Sequence, residues 1–518
     1  MENHNEIALF ASNRNQFVSA INKPHIIPGC GIVGQMILRA PEYPPDIPCN
    51  TDRTVALSKQ TAKYRLFRMS GVYFGLEGDL GKGYYVGKAS EDDGHVLVVG
   101  TNGSGKSVFI AKSTLETWRD PFVILDIKGE LSEHYRRLAK KRRVERPYKV
   151  FDPANGGAHY NPYALLNVNA PDFSQCVREI ADAIIPLPLD VREPYWIEMA
   201  RNLLSGAIAY CFCKKMDFSE TMAYLQVTST SELCRRIKSF SNPIAQMFVS
   251  EILDLKPEQQ AAIGTEMKGH TVVFATDSSI QEALSDDGHS ETFSWNGLME
   301  VEAPNIFLKL SQDKLEQWNG VIRLMLTQLI RQLERRPDKH SVEGYDTQPV
   351  LILLDEFPML GKMEVITDGL TTLRSKKVTF CLILQSIAQL DAVYGADVRR
   401  IMVDNCQYKA ILNVTEPDSQ EYFSKLFGTV PIENRSRSIS LSLPMSVSFG
   451  EQAQVFREAL VLPEEFAINP NVLLHTPYGV FGAIKLHVSV THKDIDSFNS
   501  IVCYYRTRTD YIRWRYLK

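Results

Sequence analysis

His95-Val-Leu-Val-Val-Gly100-Thr101-Asn102-Gly103-Ser104-Gly105-Lys106-Ser107 decides the fold of this chain. A near-continuous apolar run leads into Gly100, and a helical pattern, Val108 to Leu115, follows Ser107. The spacing G-x-x-x-x-G-K-S between a strand and a helix describes a phosphate-cradling loop. Gly100, Gly103 and Gly105 can take backbone angles barred to other residues, which turns successive N–H groups inward. The helix that starts there adds its positive end. Thr101, Asn102 and Ser104 complete the loop, Lys106 is placed to reach the β- and γ-phosphates, and the Ser107 hydroxyl to ligate Mg²⁺. The expected ligands are therefore ATP and Mg²⁺.

Outward from this loop the pattern alternates. A second apolar strand, Pro121 to Asp126, ends in Ile127-Lys128-Gly129-Glu130. A basic helix, His134 to Arg143, leads to a third strand, Tyr148 to Asp152. Strand–helix–strand order predicts a parallel sheet whose ligand sits at the strand C-terminal ends. From 172 to 292 the texture is helical: Trp196, Ala200, Leu203, Leu204, Ala207 and Ile208 follow one helix face. This segment holds ten basic and eighteen acidic residues, an odd balance for gripping phosphates. Strand signals then resume at Ile306–Leu310, Pro349–Asp355, Val378–Leu384 and Lys409–Val414, with a long helix from Val321 to Arg335. The expected organisation is a peripheral segment 1–70, an α/β nucleotide-binding domain made of 71–171 and 293–518, and an inserted all-α domain 172–292. Within 71–93, glycine-rich alternating runs suggest hairpins covering a sheet edge.

Leu351-Ile-Leu-Leu-Asp355-Glu356 supplies the second half of a nucleotide site. A strand of branched residues is buried on both faces, Asp355 can hold Mg²⁺, and Glu356 can deprotonate the attacking water. Glu directly after Asp favours ATP hydrolysis over GTPase or kinase chemistry. Gln385, at the end of the next strand, is placed to contact the γ-phosphate or the water. As an alternative, it caps the strand. Arg374 stands in a basic turn just before that strand, as an arginine finger or as a solvated charge. Arg136 to Arg146 reads as the wet face of a helix. The tail Tyr504–Lys518 interleaves arginine with aromatics, which suits either stacking on bases or docking on a neighbouring subunit.

With 518 residues, 44% hydrophobic and 23% charged, the chain is a multi-domain globular protein. A net charge of −4 excludes a surface that coats nucleic acid throughout, though not a local basic channel. Nine scattered cysteines without a C-x-x-C pair read as reduced thiols. No apolar run approaches the roughly 18 residues of a membrane span, and the polar N-terminus is no signal peptide. The chain therefore reads as cytoplasmic.

Several ordered motifs together resemble the type IV secretion coupling proteins, the TraG/TraD-like conjugative DNA-transfer ATPases. They are the phosphate loop, Asp126-Ile-Lys128-Gly-Glu130, Phe151-Asp-Pro with Tyr160-Asn161-Pro162, and the helical insertion with Trp196. Asp355-Glu356-Phe-Pro-Met-Leu-Gly361, Ile383-Leu-Gln385-Ser-Ile-Ala-Gln389, Ser424-Lys-Leu-Phe-Gly428 and Leu462-Pro-Glu-Glu-Phe466 follow in order. The resemblance runs from about residue 70 to 490. It implies a RecA-like P-loop domain carrying an all-α domain, homo-hexamers around a channel, and ATP bound between subunits. It also implies recruitment of DNA, a relaxase–DNA complex or protein substrates to secretion-channel components. By motif, Lys106 and Ser107 bind phosphates and metal, Asp355 supports the metal, Glu356 is the base, Gln385 the sensor, and Arg374 a basic group acting across the subunit boundary. Members usually begin with two transmembrane helices, which are not seen here. A separate membrane-anchor protein, with peripheral docking at the inner face of the membrane, or a soluble branch of the family would account for that. A recruitment platform that does not translocate, and a related hexameric DNA-pumping ATPase, are the alternative functions.

Overall fold

The computed structural model describes residues 70–77, 84–141, 146–187, 193–286, 291–299, 303–338, 348–442, 446–477, 479–483, 485 and 487–488, with two short paired segments, His25–Ile26 and Ile32–Val33. Most of the expected peripheral segment 1–70 and all of the tail Tyr504–Lys518 lie outside these residues. They fall into two compact units, one of residues up to 119 and from 382 onward, the other Asp120–Cys381.

In the first unit, the phosphate-loop strand Val96–Val99 is buried throughout. It runs parallel to Tyr408–Ile411, with Val98 opposite Ala410. Tyr408–Ile411 in turn pairs antiparallel with Val472–Thr476, which pairs antiparallel with Gly479–Ala483. The hairpin Gly71–Glu77 with Tyr84–Ala89 is seated on the helix that follows the phosphate loop. The Tyr73 N–H donates to Thr114 Oγ1 at 3.1 Å, and Thr117 Oγ1 donates to the Gly71 carbonyl at 2.9 Å. A long antiparallel pair, Thr429–Ser442 with Ser446–Ala459, was not foreseen from the sequence.

In the second unit, Val350–Leu354, Phe122–Asp126, Asn305–Lys309 and Tyr148–Phe151 are neighbours in that order, all parallel. The register sets Leu354 beside Leu125, Lys309 beside Asp126 and Leu308 beside Phe151. Their C-terminal tips therefore share one edge, where a parallel sheet presents its ligand site. The division between units falls inside the strand Val378–Leu384. The Val350 N–H donates to the Lys377 carbonyl at 3.0 Å in one unit, and the Gly100 N–H to the Leu384 carbonyl at 3.2 Å in the other.

The helices expected between 172 and 292 are present, from Phe173–Ile184 to Ser278–Ala283. They belong to the same compact unit as the parallel strands. Side chains of the neighbouring segments fasten them: Arg323, on the helix Asn319–Glu334, donates to the carbonyls of Ala183 and Ile184 at 2.7 and 3.2 Å. Asp217 closes a capping box with Glu220, and Asn242 caps a helix with Pro243 at its first turn. Tyr195–Cys213 is the central helix, with Leu203, Leu204, Ala207 and Ile208 wholly buried.

Close helix approach depends on glycine here. A Cβ on Gly264 would lie 1.8 Å from Thr230 Oγ1. Alanine gains about 1 kcal/mol of helix propensity over glycine, but overpacking costs about 1–3 kcal/mol. Gly264→Ala should therefore lower the denaturant midpoint. A midpoint at or above that of the parent chain would show that Thr230 gives way.

The described cysteines 176, 211, 213, 234, 381 and 406 are free thiols. Burial pushes Cys211 and Cys406 up to about 12, which leaves them unreactive. Among the described residues, no helix is long and apolar enough to cross a membrane.

Candidate nucleotide site

The phosphate loop is built as its spacing requires, with one difference. Gly103 (φ 75°) and Gly105 (φ 94°) occupy the left-handed region, whereas Gly100 does not. Gly100 is needed for space instead: a Cβ there would stand 2.6 Å from Ser104 Oγ and 2.9 Å from Leu412 Cβ. Around Gly103 a Cβ would meet nothing within 4 Å, so that side of the loop is open. The loop feeds a helix that begins with a wide π turn at Lys106–Ala111 and continues as α-helix to Thr117.

Asn413 and Lys485 hold the loop. The N–H and hydroxyl of Thr101 both donate to the Asn413 carbonyl, at 2.8 and 3.0 Å. Asn413 Nδ2 is fixed by the carbonyls of Ala467 and Asn469 at 3.2 and 2.9 Å. Lys485 donates to the Ser104 carbonyl at 3.1 Å and to Asn413 Oδ1 at 3.0 Å, and burial holds its ammonium below the usual lysine range. Sequence reading missed Asn413 and Lys485, since neither lies in the loop motif. Lys106 is buried, and its Nζ donates to the carbonyls of Gly100 and Thr101. Gln385 stands one residue past the carbonyl that Gly100 engages, and its N–H is capped by Gln389 Oε1 at 3.0 Å.

The loop suits a phosphate on two observations. Ser104 Oγ is buried without a hydrogen-bond partner, and the first N–H groups of the helix have no acceptors within it. Ser107 in the first unit and Asp355 in the second each carry an oxygen of the kind Mg²⁺ prefers.

In the second unit, Asp355 and Glu356 stand at the tip of Val350–Leu354, at 4% and 8% exposure. The Asp355 N–H donates to the Leu125 carbonyl at 3.4 Å, which continues the ladder to its last rung. Glu356 takes φ 53°, ψ 40°, left-handed backbone that is rare outside glycine. Its carboxylate is paired with Lys128, from the tip of the neighbouring strand. That hydrogen bond is the main reason the Lys128 ammonium is raised above the usual lysine range. Burial opposes the rise, and the charges of Glu356, Asp355 and Glu130 add to it. Asp126, at the same tip, is committed elsewhere: its Oδ2 accepts from the N–H and hydroxyl of Ser132, both at 2.7 Å.

Arg374 is exposed on the short 3₁₀ turn Leu373–Lys376. The flanking residues fix that turn: Ser375 Oγ donates to Asp338 Oδ1 at 2.5 Å, and Lys376 to the Arg336 carbonyl at 2.5 Å. The basic run after Glu133 is the wet helix face expected of it, with Arg136 and Arg137 exposed and paired to Glu133. Arg142 and Arg143 lie outside the described residues.

A glycine-bent phosphate loop opening a helix, together with an acid-tipped strand in parallel α/β architecture, defines a P-loop nucleoside triphosphatase of RecA-like fold. Residues 57–468 match the family described as "Type IV secretory system Conjugative DNA transfer", and the chain belongs to that family. It is 24% identical over 426 residues to the conjugal transfer protein TraG of Escherichia coli, covering 76% of this chain and 65% of that one. It is 26% identical over 396 residues to VirD4 of Rhizobium rhizogenes, covering 73% and 55%. The chain thus spans between about half and two thirds of the length of these curated relatives. Among solved structures, the unbound conjugative coupling protein TrwBdeltaN70 matches with a TM-score of 0.62 at 16% identity, covering 84% of this chain and 93% of that one. TrwB in complex with the ATP analogue ADPNP matches with a TM-score of 0.61 at 16% identity, covering 84% and 94%. Both show the shared fold.

Proposed function

We propose that the chain is an ATP-hydrolysing coupling motor of a conjugative type IV secretion system. In this reading it delivers DNA, a relaxase–DNA complex or protein substrates to the secretion channel. The observation that carries it is the buried pair Asp355-Glu356 at a strand tip, in a chain that also holds an intact phosphate loop. The nucleotide is ATP with Mg²⁺, in keeping with the TrwB complexes with ADPNP and with ADP and Mg²⁺. Lys106 and the loop N–H groups hold the β- and γ-phosphates, and Ser107 and Asp355 hold the metal. Mg²⁺, when bound, neutralises charge on the phosphates. Glu356 takes the proton of the attacking water, and Gln385 reports the γ-phosphate. The working form is a homo-hexamer in which Arg374 reaches the site of the adjacent subunit. The place of action is cytoplasmic, at the inner face of the membrane.

A second reading, a nucleotide-governed recruitment platform without translocation, draws on the helical segment 172–292. Its acidic excess suits protein recognition better than phosphate contact, and it exposes Val227 and Met247 at 84% and 74%.

The discriminating experiment is ATP turnover against protein concentration, with and without single- and double-stranded DNA. The motor predicts a steep rise with concentration and strong DNA stimulation. Low turnover indifferent to DNA, despite confirmed ATP binding, would favour the platform.

A further inference from the structure

A general base works only if its lone pair is aimed, and the backbone of Glu356 does not aim it. The strand ends at Leu354, so the alternation that directs side chains along a strand has stopped. Glu356 itself turns into left-handed backbone, a conformation kept only where surrounding contacts determine it. The Glu356 carbonyl accepts from the Met359 N–H at 2.9 Å, which fixes the backbone, and the carboxylate is held by Lys128, whose Nζ donates to Oε1.

Lys128 is in turn well placed to hold it. Its turn leaves the strand Phe122–Asp126, the parallel neighbour of Val350–Leu354. Asp126 fastens one side of that turn by accepting from Ser132. On the other side Gly129 (φ 70°) takes the left-handed step, and a Cβ there would lie 2.8 Å from Lys309 Cε. Lys309 is anchored by Asp152 at 2.7 Å. The Lys128 side chain is 42% exposed and that of Glu356 only 9%, so the ammonium reaches inward from the rim to the buried acid. Facing Glu356, Asp355 and Glu130, Lys128 keeps its proton.

We propose that Lys128 is the positioning residue for Glu356, holding Oε1 so that Oε2 faces the attacking water. This rests on the reading of Glu356 as the general base. In the step it serves, an O–H bond of the water breaks and Oε2 keeps the proton. The oxygen bonds to the γ-phosphorus while the bond to the β–γ bridging oxygen breaks, and no electrons are gained or lost overall. In this proposal Lys128 acts through Glu356 and not on the substrate.

The test compares Lys128→Ala, Lys128→Met and Lys128→Arg in the full chain, assayed where turnover is highest. Lys128→Ala and Lys128→Met should each lower kcat about 10- to 100-fold, the scale of a misplaced catalytic group. KM and equilibrium binding of Mg²⁺–ATP should stay at parent values. Lys128→Arg should recover most of kcat, because it restores an N–H donor on a side chain with room at the rim. Lys128→Met separates aim from packing, since it keeps the stem without the charge. Parent-level kcat in Lys128→Met, or any rise in kcat on removing the ammonium, overturns the proposal.

The double variant Lys128→Ala/Glu356→Gln should be no slower than Glu356→Gln alone, because two residues acting as one unit are not additive. A further loss would mean that Lys128 acts on substrate directly, and overturns it too. The two failures are distinguishable. If Glu356→Gln turns over like the parent, the general-base reading falls and takes this proposal with it. If Glu356→Gln is inactive while Lys128→Ala is not impaired, only the role of Lys128 falls.

Discussion

Glu356→Gln should lower ATP turnover by about 10²- to 10⁴-fold, the usual worth of a positioned general base, while Mg²⁺–ATP still binds. The amide keeps the size and shape of the carboxylate but cannot take a proton. The prediction is sharp because Glu356 is 8% exposed, so bulk water does not easily substitute for it. The loop proposed to hold the phosphates is built from other residues, chiefly Gly100 to Ser107 with Asn413 and Lys485. The variant should therefore accumulate bound, uncleaved ATP. It loses the Lys128 ion pair but keeps an oxygen to accept from that ammonium, which limits any structural cost. Single-turnover chemistry with directly measured ATP binding separates the cases. Loss of binding together with loss of turnover would mean that Glu356 supports the fold of the tip. Unchanged turnover would remove it from the mechanism.

Why half of this site was legible in the sequence, and half not, follows from how each part is made. The phosphate loop was legible because its chemistry depends on consecutive residues: Gly103 and Gly105 need left-handed backbone and Lys106 must follow at once. The role of Gly100 was misread, because its constraint is space, set by Ser104 in the loop itself and by Leu412, just past a strand some three hundred residues away. Asp355 and Glu356 were legible because a buried apolar strand ending in two acids is a short-range pattern. The Lys128–Glu356 pair was not, since it depends on which strands are neighbours and in what register. Asn413 and Lys485 were hidden for the same reason. In the helical segment, the buried face of the long helix Pro257–Thr276 includes Gln260, Gly264 and Thr271. An apolar count along that face is diluted, although the spacing is helical. The pair Thr429–Ser442 and Ser446–Ala459 carries period-2 runs, Ser438-Ile-Ser-Leu-Ser442 and Ser446-Val-Ser-Phe449, but they are short and set among Ser and charge, and they were passed over.

Arg374→Ala and Lys106→Ala chains, each inactive alone, should regain turnover when mixed. Lys106→Ala removes the cation proposed to reach the β- and γ-phosphates, and arginine fingers are worth about 10³- to 10⁵-fold. Either change therefore silences a uniform ring. Arg374 sits exposed on a turn that Ser375 and Lys376 pin to the segment around Asp338. That geometry presents a guanidinium outward on a fixed base, as a residue serving a neighbouring subunit requires. In a head-to-tail ring each site joins the phosphate loop of one chain to the arginine of the next. A site is complete where an Arg374→Ala chain gives the loop and a Lys106→Ala chain gives the arginine. At equal mixing this holds for about a quarter of the interfaces in a randomly assembled ring, so turnover should peak there and fall off on either side. If Arg374 served its own chain, no arrangement would contain a complete site, and mixed rings would stay silent at every ratio. Silence in rings shown by differential tagging to hold both chains would thus place Arg374 outside the trans role. Recovery that peaks at equal proportions would identify the subunit boundary as the place where the site is completed.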